Sequence, residues 1–223
     1  MKHHLILDLE TLGIGDAGVI LSVGALLYFP EQDIMHTNSW KLNAKEQIQK
    51  YNRIVSKDVL AWWKQQEEGA LRVLNPSPSD MKAEEFFEDL FEWLNIHGYR
   101  KNKDREVCWL EGTILQRGTI DHAMLANLSR DVYGTEEVFY EHLTWKKVRD
   151  IRTIIDMINT SLYEDVNIYS VPAADAVKEK TNGKYSNWWD YLKAFKLEKN
   201  LISHDAVSDC IIQLESLKMV DFC

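Results

Sequence analysis

Five side chains of chemically useful type stand in a suggestive order along the 223-residue chain: Asp8, Glu10, Asp121, His204 and Asp209. Asp8 and Glu10 lie two apart inside the otherwise apolar stretch LILDLETLG (5–13). Residues i and i+2 of a strand face the same side, so the two carboxylates share one patch while Leu7 and Leu9 point away. Like charges held that close repel and cost desolvation. Such a pair is stable if it reaches solvent at a strand end, shares a proton or binds a cation, and taken alone it leaves all three readings open. Asp121 opens an amphipathic stretch immediately after apparent strand residues, a place where acids also serve as caps or partners of the helix dipole. His204 and Asp209 stand five apart in SHDAVSDC (203–210), and the Cys-Ile-Ile that follows draws Asp209 into an apolar helix where an acid needs a partner.

Four carboxylates converging from three segments make a hard-oxygen site suited to Mg²⁺ or Mn²⁺. Two such ions about 3.5–4 Å apart can clamp a phosphodiester, activating water on one side and stabilising the leaving oxygen on the other. A histidine, with an ordinary pKa near 6.5, can accept that water's proton at neutral pH.

Positioning these groups requires elements that the hydrophobic pattern supplies. LILDLE is apolar on both faces, which predicts a central strand. The glycine-rich turn 11–18 leads to a second strand over 19–29, antiparallel to the first, and 34–42 alternates as a third. Ser56 is placed to cap a helix through KDVLAWWKQQ. PSPSDMKAEEFFEDLFEWLNIHG (76–98) predicts a helix after Pro78 and Ser79, with a stripe of Phe87, Leu90, Phe91 and Leu94 and with Gly98 at its C-terminal end. Residues 99–106 read as a charged loop and 106–118 as strand. A helix follows with Asp121, Met124, Leu125, Leu128 and Val132 in phase and Gly134 as its stop. VRDIRT (148–153) reads as a short strand leading into a helix, NWWDYLKAF (187–195) as a helix, and HDAVSDCIIQLESLK (204–218) as the last helix. Residues 162–200 otherwise carry no clear pattern.

Composition narrows the class. Hydrophobic residues make up 45% and aromatic residues 11%, as expected of a folded chain with a large core. Eight tryptophans imply an extensive aromatic core or a stacking surface as well. No linker, repeat or low-complexity tract divides the chain, so residues 1–223 are expected to form one domain. Net charge is −9, which argues against non-specific nucleic-acid binding unless bound cations cancel part of it. Cys108, Cys210 and Cys223 are too scattered for a disulfide framework or a zinc site, which suggests a reducing, cytoplasmic setting. The beginning lacks a secretory pattern, and the longest apolar run, 19–29, is too short to cross a bilayer, so no membrane partner is expected.

DLET at 8–11, then Asp121, then H-x4-D at 204–209, in this order, resembles the DEDDh-type 3′–5′ exonucleases of the ribonuclease T-like superfamily. A closer resemblance, to the phage exonuclease A group of single-strand DNA exonucleases, runs through DLETLG, VLAWWKQQ, RGTIDHAML, RDIRT and SHDAVSDC. It covers most of the chain. The resemblance implies a ribonuclease H-like α/β fold, a central mixed sheet with three leading antiparallel strands flanked by helices. It implies release of nucleoside 5′-monophosphates from the 3′ end of single-stranded DNA with two divalent ions, Mg²⁺ or Mn²⁺. In that assignment Asp8 bridges both ions, Glu10 and Asp209 hold the nucleophile-side ion, Asp121 holds the other, and His204 is the general base. Where the family often has Phe before the middle Asp, this chain has Ile120, which touches the substrate pocket rather than the ligand set. Relatives of this size are often homodimers, and a homodimer is the corresponding expectation here.

Substrate contacts stay open between two readings. Thr11 and Leu12 either line the pocket of the terminal nucleotide, as the resemblance implies, or form an ordinary turn. Trp62 and Trp63 point about 100° apart on a helix, so one can be core while the other, with Trp63 as the candidate, stacks on a base. WKKVRDIR (145–152) is either a set of phosphate contacts or a solvated strand. Two other functions compete: a 3′–5′ exoribonuclease of the same family, and a catalytically silent nucleic-acid-binding module, which has no need of all five polar positions.

Overall fold

A computed structural model describes residues 3–99, 112–118, 120–162 and 171–222. The expectations for 100–111 and 163–170, with Cys108 and Cys223, lie outside the described residues.

The chain opens with three strands, β1 (His3–Thr11), β2 (Ile20–Phe29) and β3 (Ile34–Lys41), joined as an antiparallel meander. Helices α1 (Ala44–Tyr51), α2 (Lys57–Trp63), α3 (Glu68–Leu71) and α4 (Ala83–Ile96) follow. Next come β4 (Gly112–Gln116), α5 (Ile120–Tyr133), α6 (Glu137–His142), β5 (Val148–Asp150) and α7 (Ile151–Leu162). The described residues end with α8 (Ala174–Lys180), α9 (Trp188–Lys199) and α10 (Ala206–Met219). Among them the sheet order is β3-β2-β1-β4-β5, with β4 and β5 parallel to β1. This mixed sheet between helices is the ribonuclease H-like arrangement, and β1 lies at its centre.

Both faces of β1 are covered, which is why its sequence is apolar throughout its first half. Leu5 and Leu7 pack in a core with Phe86, Phe87, Leu90 and Leu94 of α4 and Met124, Leu125 and Leu128 of α5. Ile6, on the opposite face, packs with Ile151 and Ile155 of α7 and Cys210, Leu214 and Leu217 of α10. Asp8 and Glu10 continue the Ile6 face, so the acids stand where this second core gives way to solvent.

Among the boundaries that differ from the sequence expectation, three have a plain physical cause. α4 starts at Ala83, not directly after Ser79, because Met81 N bonds to Lys41 O and holds the preceding segment against the sheet edge. The strand at 148–153 ends at Asp150, whose carboxylate accepts the Arg152 amide and so opens α7. His204 precedes the last helix: Asp205 is its N-cap, accepting the Ser208 amide at 2.9 Å, and His204 sits in the left-handed region at φ 57°.

One close approach fixes where α10 lies. Gly24 on β2 is the register partner of Asp8. A Cβ at Gly24 would fall 2.6 Å from the Val207 nitrogen and closer still to the Ala206 carbonyl. The first turn of α10 therefore rests directly on the strand backbone, which only glycine permits. Gly24→Ala is expected to push this turn outward, at a cost of about 1–3 kcal/mol. A thermal melt should fall accordingly, and an unchanged melting temperature would show that the turn yields freely.

Candidate active site

The first turns of α10 and α5 converge on the end of β1. All four carboxylates feel one another: burial, then Asp209, Asp121 and Glu10, hold Asp8 well above the usual carboxylate range. Burial with the charges of Asp209, Asp205 and Asp121 pushes Glu10 up to about 8. Burial raises Asp121 to about 7. Asp209 reaches about 6, raised by burial and held back by Lys196. A ligand atom from each of Glu10, His204 and Asp209 lies within 4.8 Å of the others. The structure thus brings together the five polar residues singled out in the sequence. The donor set is carboxylate oxygen with one imidazole, the hard-ligand chemistry that suits a divalent ion, and the mutual repulsion is what such an ion relieves.

Each group is held by its own element. Asp8 Oδ1 accepts a 2.8 Å bond from Gln213 Nε2 of α10. Gln213 was not among the sequence candidates, although it stands four residues after Asp209 and so on the same helix face. The corner that carries Asp121 is fastened twice. Gln116 Oε1 accepts the His122 amide at 2.9 Å, and Asp150 Oδ1 accepts the Gly118 amide at 3.0 Å. The glycine-rich turn after β1 is tied to α5 by Arg53, which donates to Gly18 O, Asp16 O, Asn127 and Asp131.

His204 packs beside a pair of touching indoles, edge-on to Trp62 at 4.8 Å and to Trp63 at 6.2 Å between ring centroids. Burial, followed by the charge of Lys196, lowers its pKa from the ordinary histidine value, which favours the neutral ring. Trp63, the candidate base-stacking residue, is only 1% exposed, and its indole N–H donates to Thr11 O at 2.9 Å. It has taken the inward direction on α2; the exposed ring of the pair is Trp62, at 42%. Leu12 is also buried, in a core with Trp63, Val19 and Leu21. Thr11 is half-buried and its hydroxyl donates to Gly13 O. Of the basic stretch 145–152, Lys147 is buried while Arg149 bonds to neighbouring carbonyls. Beyond His204 a cavity of about 230 Å³ opens between the sheet edge and α3, lined among others by Ser22, Ser39, Lys41, Arg72 and Ile202. No helix among the described residues is long and apolar enough to cross a membrane.

The family model described as 3'-5' exoribonuclease Rv2179c-like domain matches residues 3–191. A protein of Enterobacteria phage T4 named Exodeoxyribonuclease is 24% identical over 168 residues, which cover 69% of this chain and 70% of the phage protein. Among solved structures, a full-length 3'-exonuclease is similar at a TM-score of 0.50 and 10% identity, over 100% of this chain and 62% of its own. Cell-death related nuclease 4 gives a TM-score of 0.44 and 12% identity, over 99% and 65%. The chain thus spans less than two thirds of the length of either solved protein.

The crowded acids make stability depend on pH. Unfolded, aspartate and glutamate titrate near their ordinary 3.8 and 4.5; folded, Asp209 is pushed up to about 6, Asp121 to about 7 and Glu10 to about 8, and Asp8 is raised as well. Folding therefore favours their protonated forms. Their destabilising effect is absent below the unfolded values and grows as pH rises through the folded ones. Metal-free protein is expected to melt progressively lower between about pH 4 and pH 8, with Mn²⁺ or Mg²⁺ restoring stability most at the alkaline end. Asp8→Asn should raise the metal-free melting temperature at pH 8. A melt that rises with pH across this range in EDTA would contradict the account.

Proposed function

We propose, for a chain that belongs to the 3'-5' exoribonuclease Rv2179c-like domain family and is a 3′–5′ exonuclease, that the substrate is single-stranded DNA. One domain over residues 1–223 would release nucleoside 5′-monophosphates. The carrying observation is the cluster of Glu10, His204 and Asp209, whose ligand atoms lie within 4.8 Å of one another, with Asp8 and Asp121 close enough for their charges to act on it.

Asp8, Glu10, Asp121 and Asp209 would together hold divalent ions, Mg²⁺ or Mn²⁺. Bound there, the ions lower the pKa of the attacking water and offset charge on the leaving oxygen. His204 would accept the water's proton as the water oxygen joins phosphorus and the bond to the 3′ oxygen of the preceding nucleotide breaks; that oxygen would take up a proton from solvent to leave as a hydroxyl. Gln213 keeps Asp8 aimed at the centre through its amide. Trp62 offers an exposed ring beside His204 for stacking, while Trp63 acts by fixing the Thr11 carbonyl. Thr11 and Leu12 flank the terminal nucleotide, and the cavity beyond His204 gives its base room.

The phage relative named Exodeoxyribonuclease supports DNA. The name of the family model supports a second reading, an exoribonuclease acting at the same centre. Digestion of 5′-labelled single-stranded DNA and RNA side by side, in Mg²⁺ and in Mn²⁺, separates them. Faster shortening of DNA from the 3′ end is expected, and a preference for RNA would select the second reading. Asp8→Ala and Asp209→Ala should abolish hydrolysis while the protein stays folded. His204→Ala should lower turnover by about 10²–10⁴-fold while Mn²⁺ still raises the melting temperature. Near-normal turnover by any of the three would remove that residue from the mechanism.

A further inference from the structure

The acidic centre has two cations beside it that the mechanism above leaves unused. Lys196 lies in the last turn of α9 and is half-buried. Its ammonium donates to Ser203 Oγ at 3.0 Å, which sets it next to His204. Its charge acts on both His204 and Asp209. Arg117 directly follows β4, two residues after Leu115, which pairs with Ile6 and shares its core, so it continues the face that carries Asp8; its charge neighbours are Arg152, Asp150, Asp156 and Asp209. Among the described residues neither is in an ion pair within 4.0 Å, in contrast to Lys41, Arg53, Arg130, Arg152, Lys180 and Lys218.

A cation beside a cluster of acids ordinarily collapses onto one of them. Here Lys196 is held back by a neutral hydroxyl, with two of its three N–H donors to spare, and Arg117 is exposed. Nucleic acid approaching a chain of net charge −9 also needs local positive charge near the place of reaction. The cations reach the centre from different elements, Lys196 from the α9–α10 side and Arg117 from the β4–α5 corner, and so could each contact a different phosphate of one strand.

The geometry points to Lys196 and Arg117 as a phosphate clamp that seats the backbone of the substrate strand over the carboxylate centre. The clamp assigns a role to α9, in a part of the chain with little sequence pattern, and makes Ser203 the residue that aims the lysine. It rests on the exonuclease reading, but binding tests it separately from cleavage.

The test is fluorescence anisotropy of a labelled single-stranded oligonucleotide in EDTA, where hydrolysis is blocked, over a series of salt concentrations. Lys196→Gln and Arg117→Gln should each weaken binding about tenfold, as expected for a lost charged hydrogen bond. Each should also reduce the slope of log affinity against log salt by about 0.7, the single-strand value for one phosphate contact. Lys196→Arg should restore the slope, and Lys193→Gln, on the exposed side of α9, should change neither quantity. Ser203→Ala should weaken binding with the slope retained, since the charge remains. An unchanged slope in both Gln variants overturns the clamp even if affinity falls, because a purely structural effect does not remove a counterion contact. Loss of cleavage by the unaltered protein would instead count against the exonuclease reading and leave this result standing.

Discussion

The site depends on a contact between two stretches of backbone. Gly24 on β2 lets the first turn of α10 settle onto the sheet with no side chain between them. Because Gly24 pairs with Asp8 across the β1–β2 ladder, this contact decides how near Asp209 comes to the β1 acids. It also sets the reach of Gln213, whose amide must meet Asp8. The apolar packing of Cys210, Leu214 and Leu217 against Ile6 and Leu26 then holds the helix down along its length. The acids are held in place by the two cores on either side of β1, not by attractions among themselves.

That arrangement sets the site against the fold. Acids driven together in a half-buried cleft lose solvation and repel one another, and the Gln213 amide with the charges of Lys196 and Arg117 offsets this only in part, since the carboxyls stay raised. The surrounding fastenings are correspondingly dense: Gln116 and Asp150 at the β4–α5 corner, Arg53 beneath the glycine-rich turn, and Trp63 at the end of β1. Sites that function by concentrating charge commonly give up stability in this way, and the strain is absorbed by elements around them.

The sequence made the strands and the acids legible for the same reason. A central strand covered on both faces is nearly all apolar, so Asp8 and Glu10 stand out against it, and H-x4-D stands out at the entrance to an apolar helix. Less visible were groups whose roles depend on three-dimensional neighbours. Gln213 is an unremarked helix residue until its Nε2 reaches a strand over two hundred positions away. The choice between Trp62 and Trp63 turns on which side of a seven-residue helix meets the Thr11 carbonyl, and two adjacent tryptophans carry no periodicity to settle that. The start of α4 is set by a sheet-edge hydrogen bond at Met81 together with the Glu85 carboxylate, which accepts the Lys82 amide.

The contact between Asp8 and Gln213 joins positions 205 apart, and His204 and Asp209 belong to the same late segment. During synthesis β1 emerges with two of the acids long before α10 exists to complete the set. Until α10 docks on the sheet, Asp8 and Glu10 stand without Asp209, His204 and the Gln213 amide. The candidate site is therefore a product of the whole fold rather than of any local segment, complete only when residues from both ends of the described chain have met.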